Sequence, residues 1–145
     1  MFVKSILDEK NAGVITVKPG DTIRQVAQMF KALKIGFAVV DDGDSECAGC
    51  ISERDIIHHM AEHGEFDDVP VSAVMRQALS TVHPDMTLDE VRDLMTTHRT
   101  RHVVVCNGES LLGVVSIGDL IKHSLTECRV DTAQMRDYIA GHGYQ

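Results

Sequence analysis

Two segments of the chain, residues 49–55 and 113–119, share the pattern Gly-x-x-Ser-x-x-Asp. The side chains in them that could do chemistry are Ser52, Asp55, Ser116 and Asp119. A carboxylate at the junction of a strand and a helix can accept hydrogen bonds from both hydroxyls of a ribose. The amino end of the helix and the serine hydroxyl can hold a phosphate. The pattern therefore indicates a nucleotide-like ligand in each segment.

The same pattern also has a purely structural interpretation. A serine before a helix and an acidic residue three positions later can form a capping box, which satisfies free amide groups of the first turn. For a single segment this interpretation is the favoured one. The pattern occurs twice, however, each time after a glycine that permits a close approach to the strand. The repetition favours a ligand.

Composition and charge exclude several classes of protein. The 145 residues are 43% hydrophobic and 25% charged, which is typical of a globular domain. The net charge of −8 leaves little basic surface for nucleic acid or for a membrane. No apolar run approaches the roughly 20 residues of a membrane helix, and no signal peptide is evident at the N-terminus. We therefore expect a cytoplasmic protein.

The cysteines and histidines offer an alternative chemistry. The cysteines are Cys47, Cys50, Cys106 and Cys128. A structural zinc site commonly needs two Cys-x-x-Cys pairs, and only one such pair is present, so reduced thiols are expected. His59 and His63 have the i, i+4 spacing that can hold a metal, but no third ligand is evident beside Glu62 and His58. We predict no metal site.

The chain repeats itself. Residues 16–45 and 81–110 share nine identities in 30 positions, and residues 49–59 and 113–123 share five in 11. Each copy predicts strand, helix, strand, strand and helix. The predicted strands and closing helix of the first copy are 14–17, 37–40, 49–52 and 53–63. Those of the second copy are 81–82, 103–105, 112–116 and 117 onward. Thr22 and Thr87 are predicted helix caps.

Neither copy can bury its sheet alone, so we expect two pseudo-symmetric β-α-β-β-α units to pack face to face as one α/β body. The predicted divisions are residues 1–63, a linker over 64–70, residues 71–123 and a helical tail over 124–145. The tail is predicted to end near Gly141. Its apolar stripe is Leu125, Cys128, Met135, Tyr138 and Ile139.

The tandem Gly-x-x-Ser-x-x-Asp units resemble a pair of cystathionine-β-synthase (CBS) motifs, the arrangement called a Bateman module. The resemblance covers residues 1 to about 123, and it is especially close to small stand-alone bacterial CBS-pair proteins. The segments Val3–Leu7 and Val71–Met75 match the short lead-in of each motif. The resemblance implies that AMP, ATP, NAD(H) or S-adenosylmethionine binds in two clefts between the motifs.

The resemblance also implies roles for individual residues. Asp55 and Asp119 are implied to hold the ribose, and Ser52 and Ser116 are implied to contact the ribose or the phosphate. Those implied to frame the adenine and the cleft wall are Thr16, Val17, Gly36, Phe37, Thr81 and Val82. The basic stretch implied to reach the phosphates is Arg99, Arg101 and His102, with Lys34 in the other motif. An isolated Arg-x-Arg would more simply be a solvated turn. Prolines of the family are replaced here by Val39 and Val104.

We therefore expect a non-enzymatic sensor that binds an adenosine nucleotide, forms a homodimer and signals to a partner protein. No catalytic triad, metal triad or phosphate loop is recognisable, and no catalytic cofactor is expected. One alternative is a redox-responsive or metal-responsive protein that uses Cys47, Cys50 and the histidines. Another is a purely structural dimerisation module. The sequence also leaves open which aspartate shares a cleft with the arginines.

Overall fold

The computed structural model describes residues 1–10, 13–64 and 66–139, and it describes only the backbone of 126–131 and 137–139. The predicted tail contacts of Cys128, Tyr138 and Ile139, and the predicted helix end near Gly141, lie outside the described residues. Within this range, each repeat has the predicted order of elements and is preceded by a short helical lead-in.

The elements of the first repeat are α1 (Val3–Lys10), β1 (Thr16–Val17), α2 (Ile23–Leu33), β2 (Phe37–Val40), β3 (Gly49–Ser52) and α3 (Glu53–His63). The second repeat comprises a 3-10 turn (Val71–Ala73), β4 (Thr81–Val82), α4 (Leu88–His98), β5 (His102–Asn107), β6 (Ser110–Ser116) and α5 (Ile117–Ile139). The first strand is shorter than predicted, because only Thr16 and Val17 pair with β2. The closing helix continues without a break into the predicted tail as far as Ile139, as one helix, α5.

Each repeat contains one three-stranded mixed sheet, in which the middle strand is parallel to the first strand and antiparallel to the third. The register places Phe37 opposite Ser52 in the first sheet, and His102 opposite Ser116 in the second. Because strand neighbours have adjacent side chains, this register brings the residue that opens the middle strand close to the serine of the motif.

Threonine caps fix where α2 and α4 begin, as predicted. Thr22 accepts a hydrogen bond from the Gln25 amide, and Thr87 accepts one from the Glu90 amide, each within a complete capping box. Both helices end at a residue with positive φ: Lys34 at 56° and Arg99 at 52°. A left-handed cap ends a helix sharply. The chain therefore turns directly from each helix into the middle strand.

The lead-ins are exchanged between the repeats. Val3 and Ile6 of α1 are fully buried in the core of the second repeat, against side chains of α4, β5 and α5. Val71 is fully buried in the core of the first repeat, with Val74 and Met75 packed beside it. Each repeat therefore uses a lead-in from the other half of the sequence, and the two repeats are mutually dependent for their cores.

The exchanged lead-ins explain the two glycines of the repeated pattern. A Cβ atom on Gly49 would lie 2.8 Å from the backbone oxygen of Arg76, and one on Gly113 would lie 2.6 Å from Cδ2 of Leu7. The glycines do permit a close approach to the strand, as the sequence predicts. The group that approaches is the lead-in of the opposite repeat.

The sheets also pack against each other, as predicted. The buried side chains of this shared layer are Phe37, Val39, Cys50 and Val104. Alternate residues of the middle strands, such as Val40 and Val105, instead face the helices of their own repeat. Successive strand residues point to opposite faces of a sheet, so each middle strand contributes to two cores.

Candidate functional site

Two clefts lie at the junction of the repeats. The Asp55 cleft consists of adjoining pockets of 370 and 100 Å³, and the Ser116 cleft has a volume of 420 Å³. The predicted site residues that line the Asp55 cleft are Gly36, Phe37, Ser52, Asp55, Arg99, Arg101 and His102. Those that line the Ser116 cleft are Lys34, Gly36, Phe37, His102 and Ser116. Most of the predicted residues therefore come together in two places. Asp119 itself lines neither cleft, but it contacts Lys10 and Ser116, which line the Ser116 cleft.

Each cleft combines parts of both repeats. In the Asp55 cleft, Ser52 and Asp55 of the first repeat face Arg99 and Arg101 of the second. In the Ser116 cleft the two repeats exchange roles, because the motif serine, Ser116, belongs to the second repeat and faces residues of the first. This arrangement answers the question that the sequence leaves open: the arginines share a cleft with Asp55.

The serines and aspartates form capping boxes with the same geometry in both repeats. Ser52 Oγ accepts a hydrogen bond of 3.2 Å from the Asp55 amide, and Asp55 Oδ2 accepts one of 2.9 Å from the Ser52 amide. Ser116 and Asp119 repeat both distances. The structural interpretation of the pattern is therefore correct. The capping box uses Oδ2 of each carboxylate.

Each aspartate also contacts a cation from the opposite lead-in. Arg76 Nε lies 3.3 Å from Asp55 Oδ2, and Lys10 Nζ lies 3.0 Å from Asp119 Oδ2. Burial opposes ionisation of Asp119, but hydrogen bonds from the Ser116 backbone and from Lys10 outweigh it and hold the pKa of Asp119 below its usual range. Asp119 is therefore a carboxylate at neutral pH, the form that accepts hydrogen bonds from hydroxyls.

The basic stretch of the second repeat brings several donors into the Asp55 cleft. Arg99 and Arg101 lie on either side of Thr100, whose hydroxyl donates to the His102 carbonyl oxygen at 2.9 Å. The Ser80 hydroxyl lies 2.8 Å from His98 Nδ1 at the adjoining wall. Guanidinium groups bind phosphate with two donors at once, so this wall is suited to an anionic group.

Phe37 and His102 lie between the clefts and contribute to the walls of both. Their rings stack with centroids 4.6 Å apart and planes inclined by 11°. Burial lowers the pKa of His102 from 6.5, and the positive charge of Lys10 contributes to the same shift. A neutral imidazole is thus favoured at pH 7. His102 offers a hydrogen bond to a ligand without a full positive charge.

Comparison with known proteins identifies the family. The model of the CBS domain matches residues 3–62 and again residues 71–126. The chain belongs to the CBS domain family. It is similar to the CBS domain-containing protein YhcV of Bacillus subtilis, with 30% identity over 125 residues that cover 86% of this chain and 88% of the relative.

Two solved structures extend the comparison. A CBS-domain-containing protein from Agrobacterium tumefaciens has a TM-score of 0.82 and 36% identity, over 86% of this chain and 99% of that one. A CBS domain protein from Pyrobaculum aerophilum has a TM-score of 0.71 and 28% identity, over 82% and 89% of the two chains. The latter structure is a complex with AMP. The predicted fold and family are confirmed.

The first strands of the two CBS repeats contribute less to the clefts than the resemblance implies. Val17 and Val82 are buried in the cores of their own repeats, and neither valine lines a cleft. Thr16 is exposed, and Thr81 lines a separate pocket beside the hairpins. The residues that precede these strands form the cleft walls instead. They are Gly13, Val14 and Ile15 in one cleft, and Ala78, Leu79 and Ser80 in the other.

Sequence reasoning missed the cations Lys10 and Arg76. Both lie at or just after the end of a lead-in, and Arg76 directly follows the segment Val71–Met75. A cation within three residues after each matched segment, Val3–Leu7 and Val71–Met75, would have been a signal. Their contacts with the aspartates depend on the exchange of the lead-ins, which the local sequence pattern does not encode.

The thiols give little support to redox chemistry. Burial raises the pKa of Cys47 to about 11, and the nearby thiols of Cys106 and Cys50 add to the increase. Burial also raises the pKa of Cys50 and of Cys106. A thiolate is the reactive form of cysteine, so these three thiols are poor nucleophiles at neutral pH.

The described ranges show neither a metal cluster nor a membrane-spanning helix. In that part of the chain, no three His, Cys, Asp or Glu side chains come together as a metal site. The rings of His59 and His63 on α3 lie 4.5 Å apart, with His59 half-buried and His63 exposed. Among the described helices, none is both long enough and apolar enough to cross a membrane.

Proposed function

We propose that this CBS domain pair is a non-catalytic sensor that binds adenine nucleotides in the Asp55 and Ser116 clefts. The observation that carries the proposal is the pairing, at the Asp55 cleft, of a carboxylate at a helix start with two arginines from the other repeat. The carboxylate suits ribose hydroxyls, and the arginines suit a phosphate. A related protein that was crystallised with AMP supports the same ligand class.

A specific placement of the nucleotide follows from these contacts. Asp55 Oδ1 accepts hydrogen bonds from the ribose, while Oδ2 retains its bond to the Ser52 amide. Ala78 and Leu79 provide an apolar wall for the adenine. Arg99 and Arg101 contact the phosphate. In the Ser116 cleft, Val14 and Ile15 provide the equivalent wall.

The sensor function follows from differential affinity. A ligand changes the equilibrium between two arrangements only as far as it binds one better than the other. Because both clefts are built from both repeats, a nucleotide contacts both repeats at once and changes how they pack. We propose that a dimer of the module presents this change to a regulated partner protein.

Thermal unfolding with and without nucleotide tests the proposed function. At a hundredfold excess over Kd, a ligand that binds only the folded state adds about 2.7 kcal/mol to the unfolding free energy. This gain raises the melting temperature by roughly 5–10 °C for a protein of this size. AMP, ATP or NADH should produce the increase. Inosine, which has neither the adenine ring nor a phosphate, should not. Ligand is first removed by unfolding and refolding, and mass spectrometry confirms the removal.

An unchanged melting temperature with every adenine nucleotide at millimolar concentration would contradict the proposal. The purely structural dimerisation module would then be the better account. A separate zinc titration addresses the metal-responsive alternative, for which a zinc-dependent increase in melting temperature is the expected sign.

A further inference from the structure

Given the proposed nucleotide binding, we infer that Arg76 binds the outer phosphates of a nucleoside diphosphate or triphosphate and makes the Asp55 cleft selective for these ligands over AMP. Arg76 lies outside both Gly-x-x-Ser-x-x-Asp segments and outside the basic stretch. It nevertheless lines both adjoining pockets of the Asp55 cleft.

The backbone of Arg76 is held firmly beside the cleft. Its amide donates to the Cys50 carbonyl at 2.8 Å, and its carbonyl accepts from the Cys50 amide at 2.9 Å. This pair forms an isolated antiparallel bridge to β3. Gly49 permits the approach, because a side chain there would collide with the Arg76 carbonyl oxygen. The position from which the Arg76 side chain extends is therefore fixed.

The side chain of Arg76 can exchange one anion for another. It is 45% exposed, and its ion pair with Asp55 is made through Nε. A guanidinium has five N–H donors in a planar arrangement, so the pair with Asp55 leaves four more donors for a phosphate. A contact of 3.3 Å at a partly exposed site is a modest ion pair. A phosphate that enters the cleft therefore competes well for this guanidinium.

The charge of the Asp55 cleft supports selectivity for several phosphates. Its smaller pocket is lined by four arginines, namely Arg54, Arg76, Arg99 and Arg101, and by two carboxylates, Glu53 and Asp55. The α-phosphate of AMP can be held by the basic stretch alone. A second or third phosphate needs a further cation, and Arg76 provides one from a different segment of the chain.

The Ser116 cleft provides an internal contrast. Its cations are Lys10 and Lys34, and Lys10 donates both to Asp119 and to the Val114 carbonyl. A lysine ammonium is a point charge without the two-donor geometry of arginine. In addition, Gly36 occupies the position that corresponds to Arg101 in the repeat. Selectivity for outer phosphates is therefore expected in the Asp55 cleft alone.

The test is calorimetric titration of AMP, ADP and ATP into full-length protein that carries Asp119→Ala, so that the Asp55 cleft is observed by itself. In this background, Arg76→Gln should weaken ATP and ADP binding about tenfold or more, since charge-assisted hydrogen bonds have this strength. AMP binding should change less than threefold. Arg76→Lys should recover part of the ATP affinity, because it restores the charge without the planar donors.

Arg24→Gln is the matched control, because it removes an exposed arginine that pairs with Asp67 at 2.8 Å outside both clefts. The control should leave all three affinities unchanged. If Arg76→Gln lowered the affinities for AMP and ATP equally, or lowered neither, the role of Arg76 would be overturned. Nucleotide binding itself would still stand. If the parent protein without Arg76→Gln bound no adenine nucleotide, the proposed function would fail as well. Melting temperatures of all variants identify any loss of folding. If Arg76→Gln does not fold, the ATP and AMP affinities of Arg76→Lys are compared with those of the parent protein instead.

Discussion

Phe37 and His102 occupy the same position in the two repeats, and their rings stack on each other with centroids 4.6 Å apart. Each residue opens the middle strand of its sheet, opposite the motif serine of the same repeat. The pseudo-symmetry of the module therefore relates one ring of the stack to the other. Because both rings line both clefts, a ligand in either cleft lies close to the same aromatic pair.

The lowered pKa of His102 predicts a stability that depends on pH. The folded-state pKa lies below 6.5 because burial disfavours the charged ring. The unfolded chain then binds more protons at acidic pH, so the contribution of His102 to stability is present above pH 6.5 and falls as the pH decreases through that value. Nuclear magnetic resonance titration of the His102 ring measures the pKa directly.

His102→Phe is the control, since it keeps an aromatic ring on Phe37 and cannot titrate. The unfolding free energy of this variant should depend less on pH between 6.5 and 5 than that of the parent protein. A His102 pKa at or above 6.5 would contradict the assignment of a neutral, half-buried ring.

The two motif glycines predict unequal effects of the same substitution. Gly49→Ala places a methyl group 2.8 Å from the backbone oxygen of Arg76, which is held by the bridge to Cys50. Gly113→Ala places one 2.6 Å from the end of the Leu7 side chain, which can change rotamer. Gly49→Ala should therefore lower the unfolding free energy by about 1–3 kcal/mol. Gly113→Ala should lower the unfolding free energy by clearly less.

Chemical denaturation of both alanine variants measures the difference, and each variant is the control for the other. The exchanged lead-ins are the basis of this prediction. Equal unfolding free energies for the two variants would mean that the bridge between Arg76 and Cys50 does not hold the lead-in in place.

An apolar stripe on α5 predicts a homodimer. Ile121, Leu125 and Met135 are each more than half exposed, and their spacing places them along one side of the helix. A second copy of the chain would remove this surface from water. Light scattering should give twice the 16.0 kDa mass of one chain at micromolar concentration.

Leu125→Glu should raise the dissociation constant of the dimer by tenfold or more, because a charge would be buried in the contact. Gln134→Glu adds the same charge to the opposite side of α5 and should leave the mass unchanged. A parent protein that remains a 16.0 kDa monomer at micromolar concentration contradicts the dimer.

Local sequence patterns predicted the order of the elements, and the resemblance to CBS motifs implied the residues of the site. The bounds of β2, β3 and α3 follow from short apolar runs next to turn and cap signals, and the structure confirms them. The capping boxes at Ser52 and Ser116 are equally local. Such features depend on residues only three or four positions apart, which a sequence pattern records directly.

Features that depend on distant residues were not predictable in the same way. The contacts of Arg76 with Asp55 and of Lys10 with Asp119 join segments 21 and 109 positions apart. The burial of Val17 and Val82 depends on which face of each short strand meets the helices. Two-residue strands carry too little alternation to indicate that face. The resemblance implies a cleft wall on these strands, whereas in the structure the residues just before them line the clefts.

Calorimetric titration of AMP and NADH tests most directly whether each cleft binds an adenine nucleotide through its own aspartate. The proposal predicts two binding events in the parent protein and the loss of one in Asp55→Ala and in Asp119→Ala. The clefts differ in charge, so the two variants should lose different ligands or lose affinity to clearly different extents. Asp55→Asn and Asp119→Asn, which retain an oxygen for the capping box, separate ribose binding from helix stability. Unaltered stoichiometry in both alanine variants, or identical losses for both nucleotides, would contradict the account.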